Sequence, residues 1–136
     1  MAISALPEGI CALIATYLEG EGEFFREKAG DIIIREVRDG KTYGNGLLHS
    51  FNDQPAVCFT DESGRKEWYK NGMLHRDGDL PAQITRDGTK IWIVDGIISR
   101  GDDKPAIVQA DGTMTWFLNG KMGRENGKPA VVSPYV

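Results

Sequence analysis

The triplet His75-Arg76-Asp77 is the stretch of the chain that most resembles a piece of catalytic machinery. In phosphotransferases that use it, the aspartate accepts the substrate's proton, and an asparagine five residues on holds the metal. Here that position is Ala82, and no Gly-rich loop, paired strand lysine or Asp-Phe-Gly accompanies the triplet. Gly40-Lys41-Thr42 ends as a phosphate-binding loop does, but the first glycine of such a loop would stand at position 35, which is Arg35. His49 and His75 have no Cys, Asp or Glu around them at zinc-ligand spacing, so hydrogen bonds to loop backbone are expected of them. No Ser-His-Asp arrangement, carboxylate pair or nucleophile elbow occurs. The sequence gives no catalytic residue, no metal site and no cofactor, and the chain is expected not to be an enzyme.

Charged and aromatic residues recur instead. Arg76, Arg100 and Arg124 hold one register, followed three residues later by Asp79, Asp103 and Gly127. Each arginine is expected to pair with its loop aspartate or with loop carbonyls. The alternative is an arginine row offered to an anionic ligand or acidic partner, with Arg124, which lacks the aspartate, the freest. Trp68, Trp92 and Trp116 could stack nucleobases, but the net charge of -4 and their core-like register argue for packing. Val57, Gln83, Ile107 and Val131, with Phe59 nearby, are expected on one outer face, and Lys70, Val94 and Leu118 become more apolar along the chain. Such a face would bind a partner or a second copy. The residues assigned to partner binding are Arg76, Arg100, Arg124, Ile107, Leu118 and Val131.

These residues are placed by a repeat. Pro-Ala begins at Pro55, Pro81, Pro105 and Pro129, and the Asn-Gly or Asp-Gly glycines are Gly46, Gly72, Gly96 and Gly120, both in steps of 26, 24 and 24. Each tryptophan stands three residues before its turn, and a second turn signal recurs every 24 residues at Gly40, Gly64, Gly88 and Gly112. Four markers sharing one period define a repeat array. Asn-Gly supplies the positive φ angles of a two-residue hairpin, the flanks KEWYK, KIWIV and MTWFL are strand-like, and proline opens the next short strand. The first unit is atypical. It has Thr42 where the tryptophan belongs, and is two residues short before Asn45-Gly46 and two long after it. Leu48, Leu74, Ile98 and Met122, with Cys58, Ile84, Val108 and Val132, are expected to share the inner face with the alanines under the tryptophans.

The fold expected is mainly β: an antiparallel meander of about four 24-residue hairpin units over residues 31–136, behind an N-terminal helical cap over 1–30. Ile10, Leu13, Ile14, Tyr17 and Leu18 share one helical face, with Ser4 as N-cap and Pro7 in the first turn. FFREKAG could add a helical turn, and DIIIREV begins the strands. The helix would cap the open end of the array. Its pattern also resembles the opening helix of an F-box, which would make it a docking helix for a ubiquitin-ligase adaptor.

The best unit, WYKNGMLHRDGDLPA at 68–82, resembles MORN-type repeats. It is closer still to the W-x-x-N-G-x-x-H-R-x-x-G-P-A repeats of large DNA viruses and bacteriophages, over roughly residues 31–136. Ser99 and Gly123 replace the histidine, and the glycine before Pro-Ala is not kept in place. The resemblance implies a β-repeat fold and a non-catalytic module for protein or lipid contact. Because such units recur in viral and phage proteins, it also implies an inhibitor of a host or defence enzyme, as in an anti-CRISPR-like role. The alternative is a module that holds an anionic small molecule or lipid headgroup.

The pI near 5.2 offers no basic footprint for nucleic acid. Without a secretory signal or a long apolar run, no transmembrane segment is expected, and cytoplasmic residence, in the host cytoplasm if viral, is the default expectation. Cys11 and Cys58 form no CxxC. They are expected as buried thiols in a reducing compartment, with a disulfide left open.

Overall fold

The computed structural model describes residues 25–29 and 32–135, with side chains from residue 36 onward. The chain is mainly β, a meander of antiparallel strands, and no helix occurs among the described residues. The expected cap helix over 6–18 lies outside them. β1 (Phe25–Ala29) pairs with β2 (Ile32–Arg38), with a bulge between Glu27 and Lys28. The FREKA part of the expected helical turn, Phe25–Ala29, is therefore strand: the β-branched run that follows offers it a ladder. This hairpin crosses the boundary expected at residue 30, so the sheet already includes β1.

Four units follow. The first holds β3 (Lys41–Gly44), β4 (Leu47–Leu48) and β5 (Val57–Cys58). The second holds β6 (Lys66–Glu67), β7 (Tyr69–Lys70), β8 (Met73–Leu74) and β9 (Gln83–Ile84). The third repeats this as β10 (Lys90–Ile91), β11 (Ile93–Val94), β12 (Ile97–Ile98) and β13 (Ile107–Val108). The fourth has β14 (Met114–Thr115), β15 (Phe117–Leu118), β16 (Lys121–Met122) and β17 (Val131–Val132). One long sheet runs β1-β2-β3-β5-β6-β9-β10-β13-β14-β17, with β4 attached to β3, while β7–β8, β11–β12 and β15–β16 are separate two-stranded hairpins.

The chain leaves the sheet at each tryptophan. Trp68 and Trp92 N–H donate to the carbonyls of Ala82 and Ala106 at 2.8 Å, and Trp116 N–H to Ala130 at 2.7 Å. Beyond that bond the strand turns out into its hairpin. Both hairpin turn residues are left-handed, with φ of 50–52° at Asn45, Asn71, Asp95 and Asn119 and 78–86° at the glycines after them, the geometry of a type I′ turn. Ala56, Ala82 and Ala106 then donate forward, each at 2.9 Å, to Glu67, Ile91 and Thr115 of the next unit. In the first unit Thr42 takes the tryptophan's place: its N–H reaches Ala56 at 2.9 Å and its hydroxyl donates to the His49 carbonyl at 2.7 Å.

The core runs along these joints: Trp68, Trp92 and Trp116, the three fully buried alanines, and Val37, Val57 and Ile93. The expected sorting of faces fails in part. Val57, expected outside, is 5% exposed, while Val131, at the equivalent position, is 47% exposed. Cys58, Ile84, Val108 and Val132 are only half-buried. Strands two residues long that leave the sheet at every tryptophan cannot carry an alternation from one unit to the next. Cys58 is in a disulfide, not a free thiol. The chain's other cysteine, Cys11, lies outside the described residues. No helix among the described residues is long and apolar enough to cross a membrane.

Candidate functional site

Each arginine of the ladder closes a clasp onto the unit before it. Arg76 donates to both carboxylate oxygens of Asp53, from Nε at 2.8 Å and Nη2 at 3.0 Å, and from Nη1 to the Pro81 carbonyl at 3.1 Å. Arg100 treats Asp79 the same way at 2.9 and 3.3 Å, and Arg124 takes Asp103 at 2.8 and 3.0 Å. The guanidinium planes lie 3.9, 3.7 and 3.8 Å from the ring centroids of Trp68, Trp92 and Trp116. Each indole N–H donates to the backbone carbonyl of the same aspartate, at 2.9–3.0 Å. One aspartate thus binds a tryptophan with its backbone and an arginine with its side chain.

Loop carbonyls are met as expected, by Arg76 at Pro81 and Arg100 at Pro105, but the carboxylate partner differs from the expected one. The partner is the aspartate 21 to 23 residues earlier, not the one three residues later. Arg124, expected to be the freest, makes the same two-oxygen pair with Asp103. Gly127 does lack a carboxylate, but the position it fills faces forward along the array. Lys104 and Lys128 add a second cation to Asp79 and Asp103, at 3.0 and 2.9 Å. Hydrogen bonds from Arg100 and then Lys104 bring the Asp79 carboxyl down to about 2. Arg124 and Lys128 hold Asp103 well below the ordinary carboxylate range, and Arg76 lowers Asp53. These aspartates adopt left-handed backbone, with φ of 56°, 55° and 51°, a conformation Asp tolerates better than most residues.

The histidines also join units. His49 Nδ1 accepts the Asn71 N–H at 3.1 Å, and His75 Nδ1 accepts the Asp95 N–H at 3.0 Å. His75 Nε2 faces Asp77 at 2.8 Å, so the pair that resembled catalytic machinery is used at both nitrogens. Burial, followed by the nearby Lys70 charge, lowers the His49 pKa. A groove of about 340 Å³ opens between the first two units, lined by His49, Trp68, Tyr69, Lys70, His75 and Leu80 among others. The equivalent groove one unit on is about 230 Å³. Beside this row the buried Glu67 accepts from Tyr69 Oη at 3.0 Å and Gln83 Nε2 at 3.1 Å, with Arg65 Nε 3.1 Å away. Burial and then the Glu67 charge raise Tyr69 to about 12. Among the described residues no cluster of His, Cys, Asp or Glu could hold a metal ion.

Large apolar side chains line the hairpins. Leu47 (50% exposed), Met73 and Ile97 (52%) each follow a turn glycine, and Val94 and Leu118 precede a turn. Val94 pairs across its hairpin with Ile97. Successive hairpins are joined where Gly72 and Gly96 N–H donate to the Leu48 and Leu74 carbonyls, both at 2.8 Å. Leu47 lies 3.6 Å from where a Gly72 Cβ would stand, and Ile97 only 2.9 Å from the Gly120 equivalent, so the row closes up at these two joints, whereas nothing lies within 4 Å of the Gly96 position between them. Of the residues assigned to partner binding, Leu118 belongs to this row, Ile107 is half-buried in the long sheet, and Val131 is exposed at its edge. Sequence reading missed Leu47, Met73 and Ile97. The signal was there, an apolar residue directly after three of the four turn glycines. No family model matches the chain, and no curated protein or solved structure is significantly similar to it.

Proposed function

We propose that the chain is a non-enzymatic, protein-binding repeat module that meets its partner through the hairpin row. The observation that carries this reading is the division of labour between side chains. Arginines, aspartates, tryptophans and histidines are engaged between units, whereas Leu47, Met73, Val94, Ile97 and Leu118 stand exposed in one row. Exposed large apolar side chains gathered along one edge of this kind mark a protein-binding surface. The MORN-like resemblance points the same way, and the specific form it suggests is a viral or phage inhibitor of a host or defence enzyme. An anionic ligand on the arginine ladder is the weaker reading, because each guanidinium already has a carboxylate oxygen at 2.8–2.9 Å. The F-box-like adaptor reading rests on residues outside those described.

The test is a paired pull-down from the source cells with the unaltered chain and a Val94→Lys/Ile97→Asp double variant. The partner is expected to be lost from the double variant while its melting temperature stays near the parent's. A partner retained equally by both proteins would sink the reading. Inhibition is checked by assaying the captured enzyme with and without the chain. Cytoplasmic residence goes with this proposal, whereas a disulfide at Cys58 favours an oxidising compartment. Thiol labelling of Cys58 in intact cells decides between the two.

A further inference from the structure

We propose that a cation-lined pocket on one face of the long sheet, between the first and second units, is a binding site for a phosphate monoester, with Lys66 and Arg86 taking the phosphate. The pocket has a volume of about 560 Å³. Lys66 of β6 and its cross-strand neighbour Ile84 of β9 form its floor. Pro55, the Asp53–Arg76 clasp and Arg86 stand around them. Three cations thus meet one carboxylate, and Arg76 already binds both oxygens of that carboxylate. Lys66 and Arg86 form no ion pair among the described residues, in contrast to Arg65 and Arg76 beside them. This surplus of positive charge sits in a chain whose net charge is -4.

Arg86 is held in place without being neutralised. Its backbone N–H donates to the Ser63 carbonyl at 2.9 Å, and Nη2 donates to the Asp61 carbonyl at 3.2 Å. Its side chain lies across Gly64, where an added Cβ would come within 2.6 Å of Nε. A guanidinium fixed by backbone, with donors to spare, is preorganised for an oxyanion. The carboxylates on the same turns are engaged locally: Asp61 accepts from Ser63 N–H and Asp87 from Thr89 N–H, both at 3.0 Å. The architecture does not require this pair of cations. Lys66 and Arg86 correspond to Lys90 and Ala110 one unit on, and to Met114 and Pro134 two units on. The clasp arginines recur because each closes a joint, whereas Arg86 occurs once. A planar fork and a point charge, both uncompensated, match a doubly charged phosphate. Pro55 and Ile84 offer apolar surface to a compact organic group. Glu62 and Asp87 line the adjoining groove with Arg86 and would repel the flanking phosphates of a nucleic-acid strand.

The probe is phenyl phosphate at about pH 8, where a phosphate monoester carries close to two charges. It is titrated into the full chain by calorimetry and followed by backbone amide shifts in NMR spectra. Saturable binding is expected, with the largest shifts at Gly64, Thr85 and Arg86. Lys66→Met and Arg86→Ala introduce residue types that later units already carry at these positions, Met114 and Ala110, so the fold should be kept. Each should weaken binding by about tenfold or more. Lys90→Met, one unit on, should leave binding unchanged. A response no larger than that to potassium chloride of equal ionic strength overturns the proposal. So does binding that survives both Lys66→Met and Arg86→Ala, or that Lys90→Met abolishes. Sedimentation with phosphatidylcholine vesicles containing phosphatidic acid identifies the source of the phosphate. Pelleting that Arg86→Ala abolishes would assign it to a lipid headgroup, and phenyl phosphate binding without pelleting to a small soluble ester.

Discussion

The Arg100 guanidinium meets a carboxylate, a carbonyl and an aromatic face at once: Asp79 at 2.9 and 3.3 Å, Pro105 at 3.1 Å and the Trp92 ring at 3.7 Å. Only a planar fork can satisfy this geometry; a lysine ammonium keeps the charge but neither grips both oxygens nor stacks. Arg100→Lys is therefore expected to cost about 1–2 kcal/mol, and Arg100→Ala more, from the lost stacking and bidentate bonds. Urea denaturation followed by tryptophan fluorescence measures it, and a lysine variant as stable as the parent would show that the clasp is ornamental. Much of this was legible in the sequence: the arginines, tryptophans and aspartates share one rhythm, and the arginines were read as partners of loop aspartates. Which aspartate was not legible. The one three residues on looked nearest along the chain, but the left-handed backbone at Asp79 and its relatives turns each carboxylate towards the following unit. The disulfide at Cys58 was not legible either, since two cysteines without a motif fit a pair of thiols equally well.

At the scale of the element, the hairpin turns were legible because Asn-Gly and Asp-Gly have few other uses. Hidden from the sequence was the departure of each hairpin from the long sheet. KEWYK and its relatives read as one strand, yet the tryptophan N–H bonds to an alanine carbonyl and splits the strand in two. Strand propensity carries no mark of that joint, and so the inner and outer positions were partly misassigned. The hairpins instead stack by their turns, which makes the turn glycines unequal. Gly96 has φ of 80° and nothing within 4 Å of an added Cβ, whereas at Gly120, with φ of 78°, the Cβ would lie 2.9 Å from Ile97 Cγ2. Alanine at either position bears the left-handed cost of about 1–2 kcal/mol. Gly120→Ala must in addition push Ile97 aside, a further loss of about 1 kcal/mol or more. Denaturant midpoints of the two variants should differ in that order, and equal midpoints would mean that the row is looser than its distances indicate.

For the whole molecule, stability is a chain of nearest-neighbour joints, each made by one clasp, one tryptophan wedge and, in the first units, one histidine. Acid attacks these joints in two stages. His49 accepts the Asn71 N–H in its neutral form, and its folded pKa is lowered below 6.5. The unfolded chain therefore binds the proton first, and stability declines as pH falls below about 6.5. The clasp aspartates respond later. Their folded pKa values lie below the 3.8 of a free carboxyl, with Asp79 at about 2. Their contribution is complete above about pH 4 and is lost as pH falls from there towards about 2. Melting temperature against pH should accordingly show a shallow decline that His49→Gln removes, then a steeper one that Asp79→Asn reduces while also lowering the neutral-pH value. Because the three clasps lie on successive joints, losing one should weaken the units on both sides of it more than distant ones. Amide exchange of Asp79→Asn should thus open β9 and β10 before β2 and β3, and uniform opening of the whole sheet would show that the array unfolds as one block.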